Sequence, residues 1–163
     1  MAGKEKTGVG EAESDLFRER PWALCPAHPE FLDGENARAF VRLLHGIGAK
    51  PLVLDADEHD RTVALTSHLP QLISTALAAT LGELPRPGEL AGPAAMDFTR
   101  LALSSFSVWK DIFLTNEDAI RPALNAFVAT LNDVNGCLAD NRLSRVFEKA
   151  RLTAEKLRET IAR

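Results

Sequence analysis

The sequence predicts a mainly α-helical fold that begins with a short strand–helix–strand unit. Two brief apolar runs, 21–25 and 51–54, are closed by turn residues, as strands commonly are. Between them, apolar residues recur at the spacing of an amphipathic helix. The composition changes after Asp55, and every long apolar pattern beyond it has helical spacing. We therefore expect two regions, residues 1–55 and residues 56–163.

The composition describes an ordinary globular protein. Apolar residues make up 45% of the 163 residues and charged residues 26%, which is enough to build a core. The net charge of −4 disfavours a broad basic face, so we expect neither nucleic acid nor a membrane surface as a partner. The longest apolar run, 72–81, is about half of the ~20 residues that cross a bilayer. Cys25 and Cys137 are far apart and lack metal-ligand spacing, which favours reduced thiols and a cytoplasmic protein.

The strand–helix–strand unit is expected to be incomplete by itself. Asp33 is the predicted N-cap of its helix, and Gly46 and Gly48 are predicted to end that helix. A two-stranded sheet is marginal in water, and crossover strands normally lie in a wider sheet that is covered on both faces. We therefore expect an upstream segment to be missing from this sequence.

One long helix is predicted to start at a cap on Asp57 and to run through Leu77, with Pro70 inside it. Proline lacks the N–H that a helix interior needs, so it kinks the helix and frees a carbonyl group. A polar site is therefore expected at the kink. Beyond a Pro/Gly-rich loop, further helical patterns are centred on residues 98–102, 108–113, 116–138 and 142–162.

The long helices are rich in Ala and Leu on more than one face, for example over 69–81 and 123–138. This is more apolar surface than one small bundle covers, so a homodimer is expected. One face of the helix at 116–138 carries Leu124, Phe127, Leu131 and Val134.

Three short motifs are spread over most of the chain. The first is M-A-G-K-E-K-T-G at 1–8, and the second is H-D at 59–60 followed by S-H-L-P at 67–70. The third is D-F-T-R-L-A at 97–102 followed by W-K-D-I-F-L-T-N at 109–116. In this order they resemble motifs of the prephenate dehydrogenase family, which includes the arogenate and cyclohexadienyl dehydrogenases.

The resemblance implies both a fold and a reaction. Residues 1–55 would be the last strand–helix–strand part of a Rossmann nucleotide-binding domain. Residues 56–163 would form an all-helical dimerisation domain similar to the C-terminal domain of 6-phosphogluconate dehydrogenase. The implied reaction belongs to tyrosine biosynthesis: prephenate or arogenate loses carbon dioxide while its C4 carbon gives a hydride to NAD or NADP. The product is 4-hydroxyphenylpyruvate or tyrosine.

The resemblance also implies which side chains bind the substrate. Arg100 is the candidate for a substrate carboxylate, for which a guanidinium offers a rigid two-donor fork. An exposed helix arginine paired with Asp97 stays open as the alternative. His68 is the candidate donor to a ring hydroxyl or a carboxylate, and a core histidine bonded to the freed carbonyl is its alternative. His59 and His68 would face opposite ways on a straight helix, so no metal site is expected.

Four further residues complete the set of candidates for substrate binding: Glu5, Thr7, Asp97 and Trp109. Glu5 and Thr7 resemble the family's polar segment at the mouth of the active site, where a glutamate can pair with the Asp97 and Arg100 stretch. The alternative is that these residues form a charged, flexible start. Trp109 is a candidate on the substrate side, and packing in the core or in an interface is its alternative.

Two essential parts of the family's site are missing from the 163 residues. No Gly-x-Gly-x-x-Gly occurs, and the family's catalytic histidine would precede Met1. We therefore expect that this chain alone binds no cofactor tightly and is inactive. Met96 stands where many relatives have a basic residue, and Gln71 replaces the final histidine of the second motif, so substrate preference stays open. The alternative function is a non-catalytic helical dimerisation or tyrosine-sensing module derived from the family.

Overall fold

The computed structural model describes residues 8–161, and most of them are helical, as predicted. The chain divides into two compact units, one within Met1–Ile120 and one within Arg121–Arg163. The strands are β1 (Pro21–Leu24) and β2 (Lys50–Val53). The α-helices are α1 (Glu35–Gly46), α2 (Ala56–Val63), α3 (Leu69–Gly82), α4 (Pro93–Thr99), α5 (Phe106–Thr115), α6 (Glu117–Asn135) and α7 (Arg142–Ile161).

The strand–helix–strand unit is confirmed. β1 and β2 pair in parallel with Pro21 opposite Lys50, and α1 is the crossover between them. The helix ends at Gly46, and Gly48 follows in the left-handed region at φ +78°, where a side chain would be strained. The prediction that Asp33 caps α1 is wrong. Asp33 belongs to the preceding 3-10 turn, and the N-cap position falls on Gly34, which has no side chain to accept a hydrogen bond.

The two-stranded sheet leaves much of its apolar surface exposed. Leu44 of α1 is fully buried beneath it, yet Leu43 is 59% exposed, Leu52 49% and Val53 54%. Parallel strands normally carry apolar residues on both faces because both faces are covered. This surface therefore has the composition of a sheet that packs against further structure.

The predicted long helix consists of three segments. α2 is followed by a π-helical turn, Ala64–His68, and α3 begins at Leu69 with Pro70 in its first turn. Where the sequence predicts a kink, the structure has this wider helical turn directly before α3. π-Helical turns are rare and occur frequently at functional sites.

The predicted cap at Asp57 is wrong, because the helix begins two residues earlier. The chain leaves β2 in an extended conformation that continues through Asp55, at φ −65° and ψ 146°. The Asp55 carboxylate accepts hydrogen bonds from the backbone N–H groups of Asp57, at 2.9 Å, and of Glu58, at 3.2 Å. Asp55 therefore satisfies two of the N–H groups that a helix start leaves unpaired.

The second unit contains most of α6 and the whole of α7. On α7, Arg151 pairs with Glu148 at 2.8 Å and with Glu155 at 2.5 Å, both on the exposed face. This part of α7 is therefore solvated and rich in charge. Within residues 8–161, no helix is both long and apolar enough to span a membrane.

Candidate functional site

His68 is the last residue of the π-helical turn, and its side chain is only 8% exposed. Burial of an imidazole requires partners for its ring nitrogens or access to water. Within residues 8–161, Nδ1 is the ring nitrogen that has a hydrogen-bond partner, and Nε2 has none. His68 therefore has one nitrogen held by the protein and one available to a ligand.

The partner of His68 is Asn116, a buried residue at the joint between α5 and α6. Asn116 Nδ2 donates to the backbone carbonyl of Asp60 at 3.0 Å and lies 3.1 Å from Nδ1 of His68. One amide group thus connects the end of α5 to α2 and to the π-helical turn. The histidine and asparagine are 48 residues apart in sequence, so packing alone brings them together.

An aromatic pair on α5 reaches His68 through Trp109. The Trp109 ring and the imidazole form an edge contact, with ring centroids 6.1 Å apart and an interplanar angle of 83°. Phe113 stacks on Trp109 with ring centroids 5.3 Å apart. The half-buried Trp109 therefore forms an apolar wall next to the histidine, an arrangement suited to a carbon ring.

Burial lowers the pKa of His68 below its ordinary value of 6.5, because the charged imidazolium loses its hydration. The carboxylate of Asp60 acts in the opposite direction, and the neighbouring His59 adds to the lowering. His59 in turn lies 2.9 Å from the Asp60 carboxylate. The net result is a neutral His68 at physiological pH.

The helix that carries His59 and His68 is not straight, so the expectation that they face opposite ways does not apply. Across the residues that the structure describes, no three His, Cys, Asp or Glu side chains gather into a metal-binding group. The expected absence of a metal stays a prediction.

Arg100 opens a 3-10 turn, Arg100–Leu103, that is tied to α3 by two hydrogen bonds. The amide Nε2 of Gln71 donates to the carbonyl of Leu101 at 2.9 Å, and the N–H of Ala102 donates to Ser74 Oγ at 3.0 Å. Both Gln71 and Ser74 are buried. The start of the turn, and with it Arg100, is therefore held at a fixed position relative to α3.

The other predicted site residues are either exposed or outside the described part of the chain. Arg100 itself is exposed, and so is Asp97 in α4. Within residues 8–161, no ion pair joins Asp97 to Arg100, and the role of Arg100 stays a prediction. Glu5 and Thr7 lie outside the described residues. The structure thus brings His68 and Trp109 together and fixes the turn of Arg100.

The motifs drew attention to Asn116 and Gln71 but predicted no structural role for either, and no sequence pattern indicated Ser74. Asn116 stands between two helical patterns, where an asparagine is ordinarily expected to cap a helix. Gln71 and Ser74 lie within a helix, where polar residues are ordinarily solvated. The available signal was that Asn116 ends the third motif and that Gln71 directly follows the second, whereas no motif contains Ser74.

A comparison with known families decides what kind of protein this is. A sequence model described as "Prephenate dehydrogenase, dimerization domain" matches residues 55–152. The chain belongs to the prephenate dehydrogenase family. The predicted family is thereby confirmed, and the second and third motifs lie within the matched residues.

Curated relatives agree with this family. This chain is 30% identical over 146 residues to the cyclohexadienyl dehydrogenase of Zymomonas mobilis. The alignment covers 85% of this chain and 48% of that protein. The chain is 28% identical over 138 residues to the prephenate dehydrogenase of Bacillus subtilis, covering 82% of this chain and 37% of that protein. The chain therefore spans about half or less of the length of these relatives.

Solved structures show the same fold. Prephenate dehydrogenase from Aquifex aeolicus, in complex with hydroxyphenyl propionate and NAD+, aligns with a TM-score of 0.83 and 25% identity, over 96% of this chain and 57% of that one. Synechocystis arogenate dehydrogenase aligns with a TM-score of 0.79 and 23% identity, over 96% of this chain and 59% of that one. The helical fold of this prephenate dehydrogenase family member is therefore that of the dimerisation domain.

Proposed function

We propose that residues 56–163 form the substrate-binding and dimerisation region of an NAD- or NADP-dependent prephenate or arogenate dehydrogenase. The reaction is the oxidative decarboxylation of prephenate to 4-hydroxyphenylpyruvate, or of arogenate to tyrosine, in the tyrosine pathway of the cytoplasm. The observation that carries this proposal is the buried His68, which lies in a region matched by the family and whose Nε2 has no partner among residues 8–161.

The chain's own residues have the chemistry to hold such a substrate. His68 is neutral, so its free ring nitrogen can exchange a hydrogen bond with the ring hydroxyl or with a carboxylate oxygen. The Trp109 wall packs against the carbon ring and excludes water, which strengthens polar contacts beside it. In this proposal Arg100 binds a carboxylate through its two-donor fork.

Residues 1–55 are proposed to belong to the nucleotide-binding domain. The support is the parallel pairing of β1 and β2 around a crossover helix, together with the exposed apolar side chains of Leu52 and Val53. In a larger parallel sheet those side chains would be covered.

We expect the residues that the structure describes not to form a nicotinamide site by themselves. The loop from β1 to α1 contains no Gly-x-Gly-x-x-Gly and includes the 3-10 turn Pro29–Asp33 instead of a glycine-rich turn at a helix start. NAD or NADP would supply the hydride acceptor in the full-length enzyme. No step is therefore assigned here to a residue that contacts the cofactor.

We expect the 163 residues alone not to oxidise either substrate, because a hydride needs an acceptor held beside the ring. The test is to assay the chain with prephenate and with arogenate, each with NAD and NADP. The same assay is run on a chain extended upstream by a glycine-rich nucleotide-binding segment, where we expect turnover. Robust turnover by the 163 residues would contradict the proposal that a further nucleotide-binding segment must hold the hydride acceptor. An extended chain that dimerises without turnover would favour the non-catalytic module.

Replacement of Arg100 tests the carboxylate assignment in the extended enzyme. Loss of a partner for a buried substrate charge costs roughly 2 to 5 kcal/mol, so Arg100→Ala is expected to lower kcat/KM by at least ~30-fold. Arg100→Lys should restore only part, because lysine lacks the fork. The matched control is Arg86→Ala, which removes an exposed arginine paired with Glu89. An unchanged kcat/KM in Arg100→Ala would show that Arg100 does not bind the substrate carboxylate.

A further inference from the structure

We infer that Asn116 is a positioning residue that holds His68 as the neutral tautomer with its proton on Nε2. In that state His68 donates a hydrogen bond to a substrate oxygen and does not act as a base through Nε2. The donor role rests on the proposed function, whereas the tautomer is a property of the chain itself.

The orientation of the Asn116 amide follows from the Asp60 carbonyl. A carbonyl oxygen only accepts hydrogen bonds, so the Asn116 atom 3.0 Å from it must be the NH2 nitrogen. Amide orientation in structures is assigned from such neighbours, and here the neighbour permits one choice. The two hydrogens of that nitrogen serve two acceptors.

The second acceptor is Nδ1 of His68, at 3.1 Å. Because an N–H points at it, Nδ1 must present a lone pair. A neutral imidazole that is unprotonated at Nδ1 carries its proton at Nε2. Nε2, which has no hydrogen-bond partner in the described part of the chain, is therefore an N–H donor.

The joint between α5 and α6 does not by itself require an asparagine side chain at position 116. Its backbone carbonyl accepts from the N–H groups of Ala119 and Ile120, and its own N–H donates to Ile112. These backbone bonds would persist with another side chain. The side chain instead reaches across to α2 and His68, which is the arrangement of a residue that orients a functional histidine.

The surroundings of the ring agree with this assignment. Protonation of Nδ1 would place two N–H donors against each other. This repulsion disfavours the charged ring, as does the burial that lowers the pKa of His68. The charged or titratable groups acting on the ring are Asp60 and His59 of α2, while α5 presents the uncharged Trp109.

The tautomer is measured directly by ¹⁵N NMR of the histidine-labelled chain, since the two ring nitrogens differ in chemical shift according to which one is protonated. In the unchanged protein we expect a protonated Nε2 and an unprotonated Nδ1 at His68. In Asn116→Asp the carboxylate accepts from Nδ1–H, so the proton should move to Nδ1 and the pKa of His68 should rise. Asn116→Ala removes the donor, so the single tautomer should be lost. Asn36→Asp, the same change on an exposed residue of α1, should leave the His68 signals unchanged.

A proton found on Nδ1 in the unchanged protein would overturn the inference. So would an Asn116→Ala variant that retains the original tautomer at its original population. If Asn116→Asp does not fold, the unchanged protein and Asn116→Ala still decide the question. These spectra need no substrate and no cofactor, so an inactive extended enzyme would count against the proposed function and leave the tautomer assignment standing.

Discussion

At the scale of single residues, burial and one hydrogen bond determine the state of His68. An imidazole in water titrates near 6.5, yet in the fold its charged form loses hydration while Nδ1 faces a donor. Arg100 presents the opposite situation, since it is exposed and its charge is constant. The two candidate substrate contacts are thus a neutral donor and a permanent cation.

Stability should fall in acid because of His68. Its folded pKa is below the ordinary 6.5, so the unfolded chain binds a proton first as the pH drops. The free energy of unfolding that the neutral His68 contributes is fully present above pH 6.5, and it is lost as the pH falls from there through the folded pKa. Urea unfolding at pH 7.5 and at lower pH should show this loss in the unchanged protein and less of it in His68→Gln. His45→Gln, an exposed change, should keep the loss, and an identical pH dependence in His68→Gln would refute the linkage.

At the scale of elements, the hydrogen bonds between α3 and the turn Arg100–Leu103 connect two motifs that are far apart in sequence. Gln71 and Leu101 are 30 residues apart, and Ser74 and Ala102 are 28 apart. The π-helical turn places His68 directly before the helix that carries both anchoring side chains. One helix therefore positions both His68 and the turn of Arg100.

Removal of the Ser74 hydroxyl should loosen that turn. Ser74→Ala leaves the Ala102 N–H without its partner, at an expected cost of about 1–3 kcal/mol in the free energy of unfolding. Thr80→Ala is the control on the same helix, because Thr80 is exposed and its hydroxyl donates to the carbonyl of Ala76 in its own helix. Urea unfolding of both variants measures the difference. Equal losses in the two would show that the bond to Ala102 contributes nothing specific.

At the scale of the whole molecule, each unit leaves large apolar side chains in contact with solvent. In the second unit, Leu124, Val128 and Leu131 share one face of α6, and Leu131 is 49% exposed. On α7, Phe147 is 69% exposed. Surfaces of this kind mark interaction sites, and the family model describes a dimerisation domain.

A charge placed on this face of α6 should therefore dissociate the proposed homodimer. Such an interface is expected to bury more than ~2,000 Å² in total, and a buried unpaired carboxylate strongly opposes association. Sedimentation velocity should show a dimer for the unchanged chain and a shift towards monomer for Leu131→Glu. Asn132→Glu, the same charge one residue along the helix, should remain dimeric. A compact, folded monomer in the unchanged chain at micromolar concentration would exclude the homodimer.

Much of the fold could be predicted because its signals are local. The spacing of apolar residues predicts β1, α1 and β2, and the missing N–H of Pro70 predicts the break before α3. The three motifs identified the family from the residue types alone. The division near residue 55 and the substrate roles of Arg100, Asp97 and Trp109 stay predictions.

Only the tertiary structure decided which polar groups meet. The N-cap of α2 is Asp55 and not the predicted Asp57, because the chain that follows β2 is still extended at Asp55. The tertiary structure paired Asn116 with His68, and it tied Gln71 and Ser74 to the turn of Arg100. Periodicity describes which face of a helix is apolar, but a hydrogen bond between distant residues depends on the distance and angle at which the helices pack. The sequence therefore determined the elements and the family, and the packing determined how the candidate site is held.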